Sequence, residues 1–227
     1  MSANTQVVDD CINAYRAQKH NISVFRDSVR NFFATHPALT VGDMPAIHSV
    51  RYRLKSEEHL RAKILRKDRS ITPANIFREV TDLAGVRVLH LHREQFDAIH
   101  NEVLAYCRQG HWALHEKPKA YTWDPEFREA FEKMGLELQL KESHYTSIHY
   151  VVKPNESLAV CCEIQVRTLF EEVWGEIDHL LNYPTPTASV ACQEQLRVMA
   201  KVVGASTRLA EAIFRSHKEF SDREKER

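Results

Sequence analysis

Glycine is scarce in this chain, six residues in 227, and it never gathers into a G-x-x-x-x-G-K-[ST] or G-x-G-x-x-G pattern. A cradle of backbone amides on a glycine-rich loop is therefore excluded, and any phosphate bound here has to be met by side chains. Long apolar runs are missing as well. None approaches the roughly 20 residues that a membrane helix needs. The opening residues, MSANTQVVDDCINAYR, lack a basic start followed by an apolar stretch, which argues against export through a signal peptide. Net charge is absent, since 31 basic residues face 31 acidic ones, whereas a general nucleic-acid binder is usually basic. The five cysteines (Cys11, Cys107, Cys161, Cys162, Cys192) are odd in number and form no C-x-x-C pair. Neither a disulfide framework nor a zinc site is indicated, and a reducing cytoplasm is the expected compartment. Thirteen histidines provide no zinc-binding H-E-x-x-H or H-x-x-x-H on a helix.

What is present suits a globular protein with a real core: 43% of residues are hydrophobic and 27% charged. The length fits one domain with helical extensions. Charge is unevenly placed. Arg51, Arg53, Lys55, Arg61, Lys63, Arg66, Lys67 and Arg69 stand against Glu57, Glu58 and Asp68, a local charge of +5. Such a patch suits a compact polyanion such as a nucleoside triphosphate, or it is a solvated helix face.

Periodicity supplies the elements. Residues 5–35 have apolar positions at helical spacing, and 36–46 read as a loop or a helix break. Val50, Tyr52 and Leu54 alternate with Arg51, Arg53 and Lys55, the period of a half-buried strand. Ser56 can cap a helix running to about Lys67. A short helix is expected over Asn75–Leu83 and a strand over Val86–Leu91. Gln95–Cys107 is an amphipathic helix, and 108–135 show no clear pattern. Strands are expected at Leu136–Leu140, Ile148–Val152 and Leu158–Val166. A helix over Thr168–Asn182 carries an apolar stripe of Phe170, Val173, Trp174, Ile177, Leu180 and Leu181, ended by Tyr183-Pro184. Residues 188–220 form a final helix. The fold class is α/β (α+β), with strands and helices interleaved and helices at both ends.

The strand CCEIQVR is the most informative segment. Alternation puts Glu163, Gln165 and Arg167 on one face and Cys162, Ile164 and Val166 on the other. A polar front and an apolar back suit the wall of a cleft, or an ordinary exposed sheet face. Asp82 lies just before Gly85 and the strand beginning Val86-Arg87. Magnesium often takes one or two carboxylates plus substrate phosphates, and Asp82 with Glu163 could form such a pair.

Taken in order, these segments resemble the synthetase domain of the RelA/SpoT-homologue family. Arg53-Leu54-Lys55 with Lys63 is similar to its basic ATP-binding motif, and Asp82-Leu83-Ala84-Gly85-Val86-Arg87 to its metal-aspartate motif. Lys141 with Tyr145-Thr146-Ser147-Ile148-His149 is similar to its acceptor loop. Glu163-Ile164-Gln165-Val166-Arg167-Thr168 resembles its glutamate strand, with Trp174, His179 and Tyr183 on the helix that follows. The resemblance spans about residues 47–185. It implies a nucleotidyltransferase-like mixed sheet flanked by helices. It further implies an enzyme that moves the β,γ-diphosphate of ATP to the 3′-hydroxyl of GDP or GTP, making ppGpp or pppGpp. By the same resemblance, Arg53 and Arg87 would sandwich adenine, Lys55 and Lys63 would hold the triphosphate, and Asp82 and Glu163 would bind Mg2+. Glu163 would also accept the proton of the attacking hydroxyl. Tyr145 would stack on the acceptor base, with Lys141, His149, Gln165 and Arg167 along the acceptor side and Glu172 near the base edge.

The chain departs from the family pattern at three positions. His144 stands where glycine is usual before the tyrosine, His59 where serine is usual, and Glu172 where Asn or Asp is usual. These concern the choice of acceptor more than the reaction. Adenine nucleotides or the tRNA 3′ end are alternative acceptors, and a non-catalytic nucleotide-binding regulator is the alternative of another class. The expected organisation is a helical extension at 1–45, the synthetase domain at 46–186 and a second helical extension at 187–227. Small synthetase-only members of the family are often homo-oligomers, such as tetramers, built through terminal helices. Leu196, Met199, Val203, Leu209 and Ile213 are available for that, or for packing on their own domain. No membrane partner is expected.

Overall fold

The computed structural model describes residues 3–42, 44–66, 71–141, 144–183 and 185–225. Lys67, Asp68 and Arg69 of the basic patch, and Pro184 at the expected helix stop, lie outside the described residues.

A seven-stranded mixed sheet organises the chain. Its strands are β1 (Ser49–Leu54), β2 (Ala84–His90), β3 (Ala113–Leu114), β4 (Lys119–Thr122), β5 (Glu137–Leu140), β6 (Ser147–Lys153) and β7 (Cys162–Thr168). They run in the order β1-β2-β7-β6-β4-β5, with β3 paired to β6. β2 and β7 are parallel, and β1 and β6 flank them antiparallel. This α/β architecture is the one expected.

Helix α1 (Ala3–Thr35) lies against β1, β2 and β7. Its apolar positions Val8, Cys11, Ile12, Tyr15, Ile22, Phe25, Val29, Phe32 and Phe33 are buried. They recur three and four residues apart, so one face of the helix closes the core. Burying each large side chain stabilises the fold by roughly 1.5–3 kcal/mol. The Tyr15 hydroxyl donates to the Lys55 carbonyl at 2.8 Å, which ties α1 to the end of β1. α2 is a single turn at Pro37–Thr40, inside the segment expected to be a loop. α3 (Glu57–Arg66) starts at Ser56, whose hydroxyl accepts from His59 N at 3.2 Å.

The segment 108–135, patternless in sequence, folds into β3, β4 and α6 (Pro125–Lys133). Local chemistry explains α6: Asp124 caps it by accepting from Glu126 N, Pro125 begins it, and Gly135 at φ 77 follows its end. Two expectations are corrected. The Asn75–Leu83 helix is one turn, α4 (Ile76–Glu79), because Leu83 gives its carbonyl to Lys55 N and the chain must already be extended there. The last strand starts at Cys162 rather than Leu158, because Asn155 Oδ1 accepts from both Ser157 N and Leu158 N and makes a turn of that stretch.

α5 (Glu94–Arg108) follows β2, and α7 (Leu169–Asn182) follows β7 through a capping box of Thr168 and Glu171. α8 (Val190–Lys225) packs on α7, where Trp174 Nε1 donates to Leu196 O at 3.0 Å. The apolar stripe of α7 is not buried as a unit. Trp174 is buried, but Phe170, Val173, Leu180 and Leu181 are exposed, because the covered side of the helix carries Glu172 and Gly175 instead. α8 divides similarly: Leu196 is buried, and Leu209 and Ile213 are exposed. Among the described residues no helix is long and apolar enough to cross a membrane.

Candidate active site

Strands β2 and β7 share one burial pattern, alternating until their C-terminal ends are covered. Their register sets Gly85 beside Glu163 and Arg87 beside Gln165. Across the neighbouring strands Arg51 faces Arg87, Arg53 faces Gly85, and His149 faces Gln165. Cross-strand partners share a face, so one polar surface collects side chains from four strands. It forms the wall of a cleft of about 260 Å³ lined by Arg51, Arg53, Asp82, Arg87, Glu163, Gln165 and Glu176, among others.

Asp82 leaves the turn after α4 and meets both lysines of the basic segment. Lys55 Nζ donates to its Oδ2 at 2.8 Å and Lys63 Nζ to its Oδ1 at 2.7 Å. Burial pushes the Asp82 carboxyl up, but the two ammonium groups outweigh it and hold the carboxyl below its ordinary range. Glu163 is similarly balanced. Burial raises it, His149 and Gln165 lower it, the charge of Asp82 raises it, and the outcome is a depressed value. Its Oε1 lies 3.2 Å from His149 Nδ1, and its Oε2 accepts from Gln165 Nε2 at 2.8 Å.

The other side of Glu163 is aromatic. The Tyr145 hydroxyl lies 3.1 Å from His149 Nε2. Tyr121 of β4 packs edge-on against the His149 ring at 4.6 Å, and Lys141 Nζ sits 4.9 Å from the centre of the Tyr121 ring. Before Tyr145, His144 holds φ 61, a left-handed conformation that costs a non-glycine residue about 1 kcal/mol. This accounts for a glycine preference there. The His144 ring lies 4.8 Å from that of Trp123. His59 turns back to Ser56, 2.8 Å from its hydroxyl, and its ring faces Tyr183 at 5.8 Å.

Arg167 and Glu172 are both buried. Arg167 shares the front face of β7 by alternation, but α7 covers that end of the strand. Glu172 Oε1 lies 2.7 Å from Arg87 Nη1 and 3.2 Å from Arg51 Nη1, and its Oε2 lies 2.5 Å from Arg167 Nη2. Glu176 Oε1 takes Arg87 Nη1 as well, at 2.7 Å.

Asp82 and Glu163 fit a hard divalent cation. Both present oxygen donors to one cleft, the charge of Asp82 acts on Glu163, and one or two carboxylates are what magnesium often takes from a protein when substrate phosphates complete its shell. Among the described residues no group of three or more His, Cys, Asp or Glu could hold a metal by itself.

Arg51 of the basic patch lines the cleft, and two further residues of this surface, Glu176 and Tyr121, carry no assignment in the sequence. Glu176 lies one turn after Glu172. Tyr121 gave no signal, because the strand that carries it could not be placed.

No curated protein sequence matches the chain. Solved structures do. The small alarmone synthetase 1 from Bacillus subtilis superposes with a TM-score of 0.63 at 20% identity, over 92% of this chain and 96% of that one. A GTP pyrophosphokinase family protein from Streptococcus pneumoniae gives 0.63 and 20%, over 96% and 97%. The B. subtilis protein bound to its product pppGpp gives 0.59 and 23%, over 90% and 93%. At these identities the likeness establishes the fold. The sequence itself matches the region found in RelA / SpoT proteins over residues 52–188, well over half of the chain, and the protein belongs to that family.

Proposed function

We propose that this chain is an ATP:nucleotide 3′-pyrophosphokinase that transfers the β,γ-diphosphate of ATP to the 3′-hydroxyl of GDP or GTP. The observation that carries the reading is the convergence of Asp82, Glu163, Arg53 and Arg87 on one cleft in a member of the RelA/SpoT family. Two related structures support nucleotide ligands: the B. subtilis synthetase has been solved bound to pppGpp and to AMPCPP.

In this reading Arg53 and Arg87 hold the adenine, as planar guanidinium groups stack on flat rings. Lys55 and Lys63 move from Asp82 to the triphosphate, releasing the carboxylate. Asp82 and Glu163 would hold Mg2+, which would supply neutralisation of charge on the phosphoryl oxygens. Glu163, ionised at neutral pH, accepts the proton of the acceptor hydroxyl. Gln165 and His149 fix the Glu163 carboxylate. Tyr145 stacks on the acceptor base, and Lys141 serves its phosphates. Arg167 and Glu172 act from behind that wall. The exposed apolar residues of α7 and α8 are assigned to contacts between copies in a homo-oligomer, and the cytoplasm is the assigned compartment.

The test is a competition. Purified protein, ATP and magnesium are incubated with GDP, GTP, AMP, ADP, ATP alone and tRNA side by side, and products are separated by anion-exchange chromatography. A guanine product carrying two added phosphates, with equimolar AMP, is expected. Product on adenine or tRNA would correct the acceptor and keep the chemistry. Absence of AMP with every acceptor would overturn the proposal.

A further inference from the structure

Helix α7 touches both sides of the cleft through a single carboxylate. Glu172 is buried, its side chain 3% exposed, and Arg167 at 4% is buried with it. Glu172 Oε2 lies 2.5 Å from Arg167 Nη2 as an ion pair, while neither Glu172 Oε2 nor Arg167 Nε makes a hydrogen bond among the described residues. The other oxygen of Glu172 faces Arg87 and Arg51, whose side chains are 22% and 61% exposed on the cleft. One turn further along, Gly175 leaves room that Arg167 fills: a Cβ there would stand 2.7 Å from Arg167 Nη1. The Arg167 guanidinium carbon in turn lies 5.8 Å from the centre of the Tyr145 ring.

We propose that Glu172 and Gly175 form a positioning seat. It sets Arg167 behind the acceptor-stacking Tyr145 and, through the same carboxylate, sets Arg87 and Arg51 on the donor side. The inference rests on the pyrophosphokinase reading for the names donor and acceptor. Arg167 cannot reach ligand from its buried place, so it acts through Tyr145. A buried carboxylate facing three guanidinium groups is compensated in charge, and removing the carboxylate frees Arg167 and Arg51 and leaves Arg87 to Glu176 alone. Adding a methyl group at Gly175 displaces only Arg167. The two substitutions therefore separate the two sides of the cleft, which a purely structural role for α7 would not do.

The full-length wild type, Gly175→Ala and Glu172→Gln are titrated by calorimetry with magnesium and AMPCPP, and separately with the acceptor identified in the competition assay. Gly175→Ala should raise the acceptor Kd about tenfold, as a small misplacement of a binding group can, and leave the AMPCPP Kd within about twofold. Glu172→Gln should raise both constants. If Gly175→Ala lowers the melting temperature too far for titration, Arg167→Met, which keeps Gly175 and frees the same space, should show the same acceptor-selective loss. Equal weakening of both ligands, or of neither, by these Arg167-directed variants overturns the seat. A wild type that binds neither nucleotide overturns the pyrophosphokinase reading and this inference with it.

Discussion

On the side of the cleft proposed for the donor, two lysines meet one carboxylate at 2.8 and 2.7 Å. On the side proposed for the acceptor, Tyr121, Tyr145 and His149 meet each other as tilted and edge-on rings. The donor side is a charge assembly whose parts can change partners, since each ammonium exchanges one anion for another with little movement. The side proposed for the acceptor is a packed assembly suited to recognising shape. A triphosphate presents the same charge whatever its base, whereas an acceptor must be told from its relatives by a ring face and its edges. Glu163 stands at the join, hydrogen-bonded to His149 and within the field of Asp82.

The largest expected effect breaks the join itself. Glu163→Gln keeps size and most hydrogen bonds but cannot take up a proton, so kcat should fall by about a thousandfold while AMPCPP still binds. Full activity in that variant would mean another base, and a binding protein without turnover would show no difference at all. The next effect sharpens the contrast between the sides. Tyr145→Ala should weaken the acceptor by about 1–3 kcal/mol, the worth of one stacked base, and leave the KM for ATP in place. Arg53→Ala should do the reverse, with a smaller loss of about 0.5–2 kcal/mol. Steady-state kinetics with each substrate varied in turn would reveal crossed effects, which would erase the distinction.

The smallest effect concerns pH. Burial pushes the Glu171 carboxyl from 4.5 up to about 7, against the lowering influence of Thr168. Its folded-state value is raised, so the stability it contributes is full below pH 4.5 and is lost as pH rises through about 7. The wild type should therefore lose more thermal stability than Glu171→Gln between pH 5 and pH 8, by about 2–4 °C in Tm for each kcal/mol. Parallel melting curves would show the carboxyl to be uninvolved.

Much of this was legible beforehand, for physical reasons that differ by residue. Glu163 and Gln165 could be placed because a strand has a period of two and Cys162, Ile164 and Val166 mark its buried face. Asp82 could be placed because it precedes a run of aliphatic residues that reads as a strand, although that strand begins at Ala84 rather than after Gly85. Tyr121 could not, because β4 is four residues long and too short to show a period. Arg167 was assigned the correct face but not its burial, which depends on the helix that folds over it. The α7 stripe misled because periodicity reports that a helix is amphipathic, not which side the tertiary structure covers. At α7 the covered side contains Glu172, where a buried charge serves in place of an apolar contact.

The parallel pairing of residues 84–90 with residues 162–168 has a consequence in time as well as in space. Asp82 and Glu163 come to one cleft only when these distant segments join. Contacts of such long separation are among the slow ones to form, since the intervening loop must close before they add stability. Helices and hairpins can precede that event, and the cleft cannot. During synthesis the segment that carries Asp82 precedes the strand that carries Glu163, so the cleft that both line cannot close until that strand has been made.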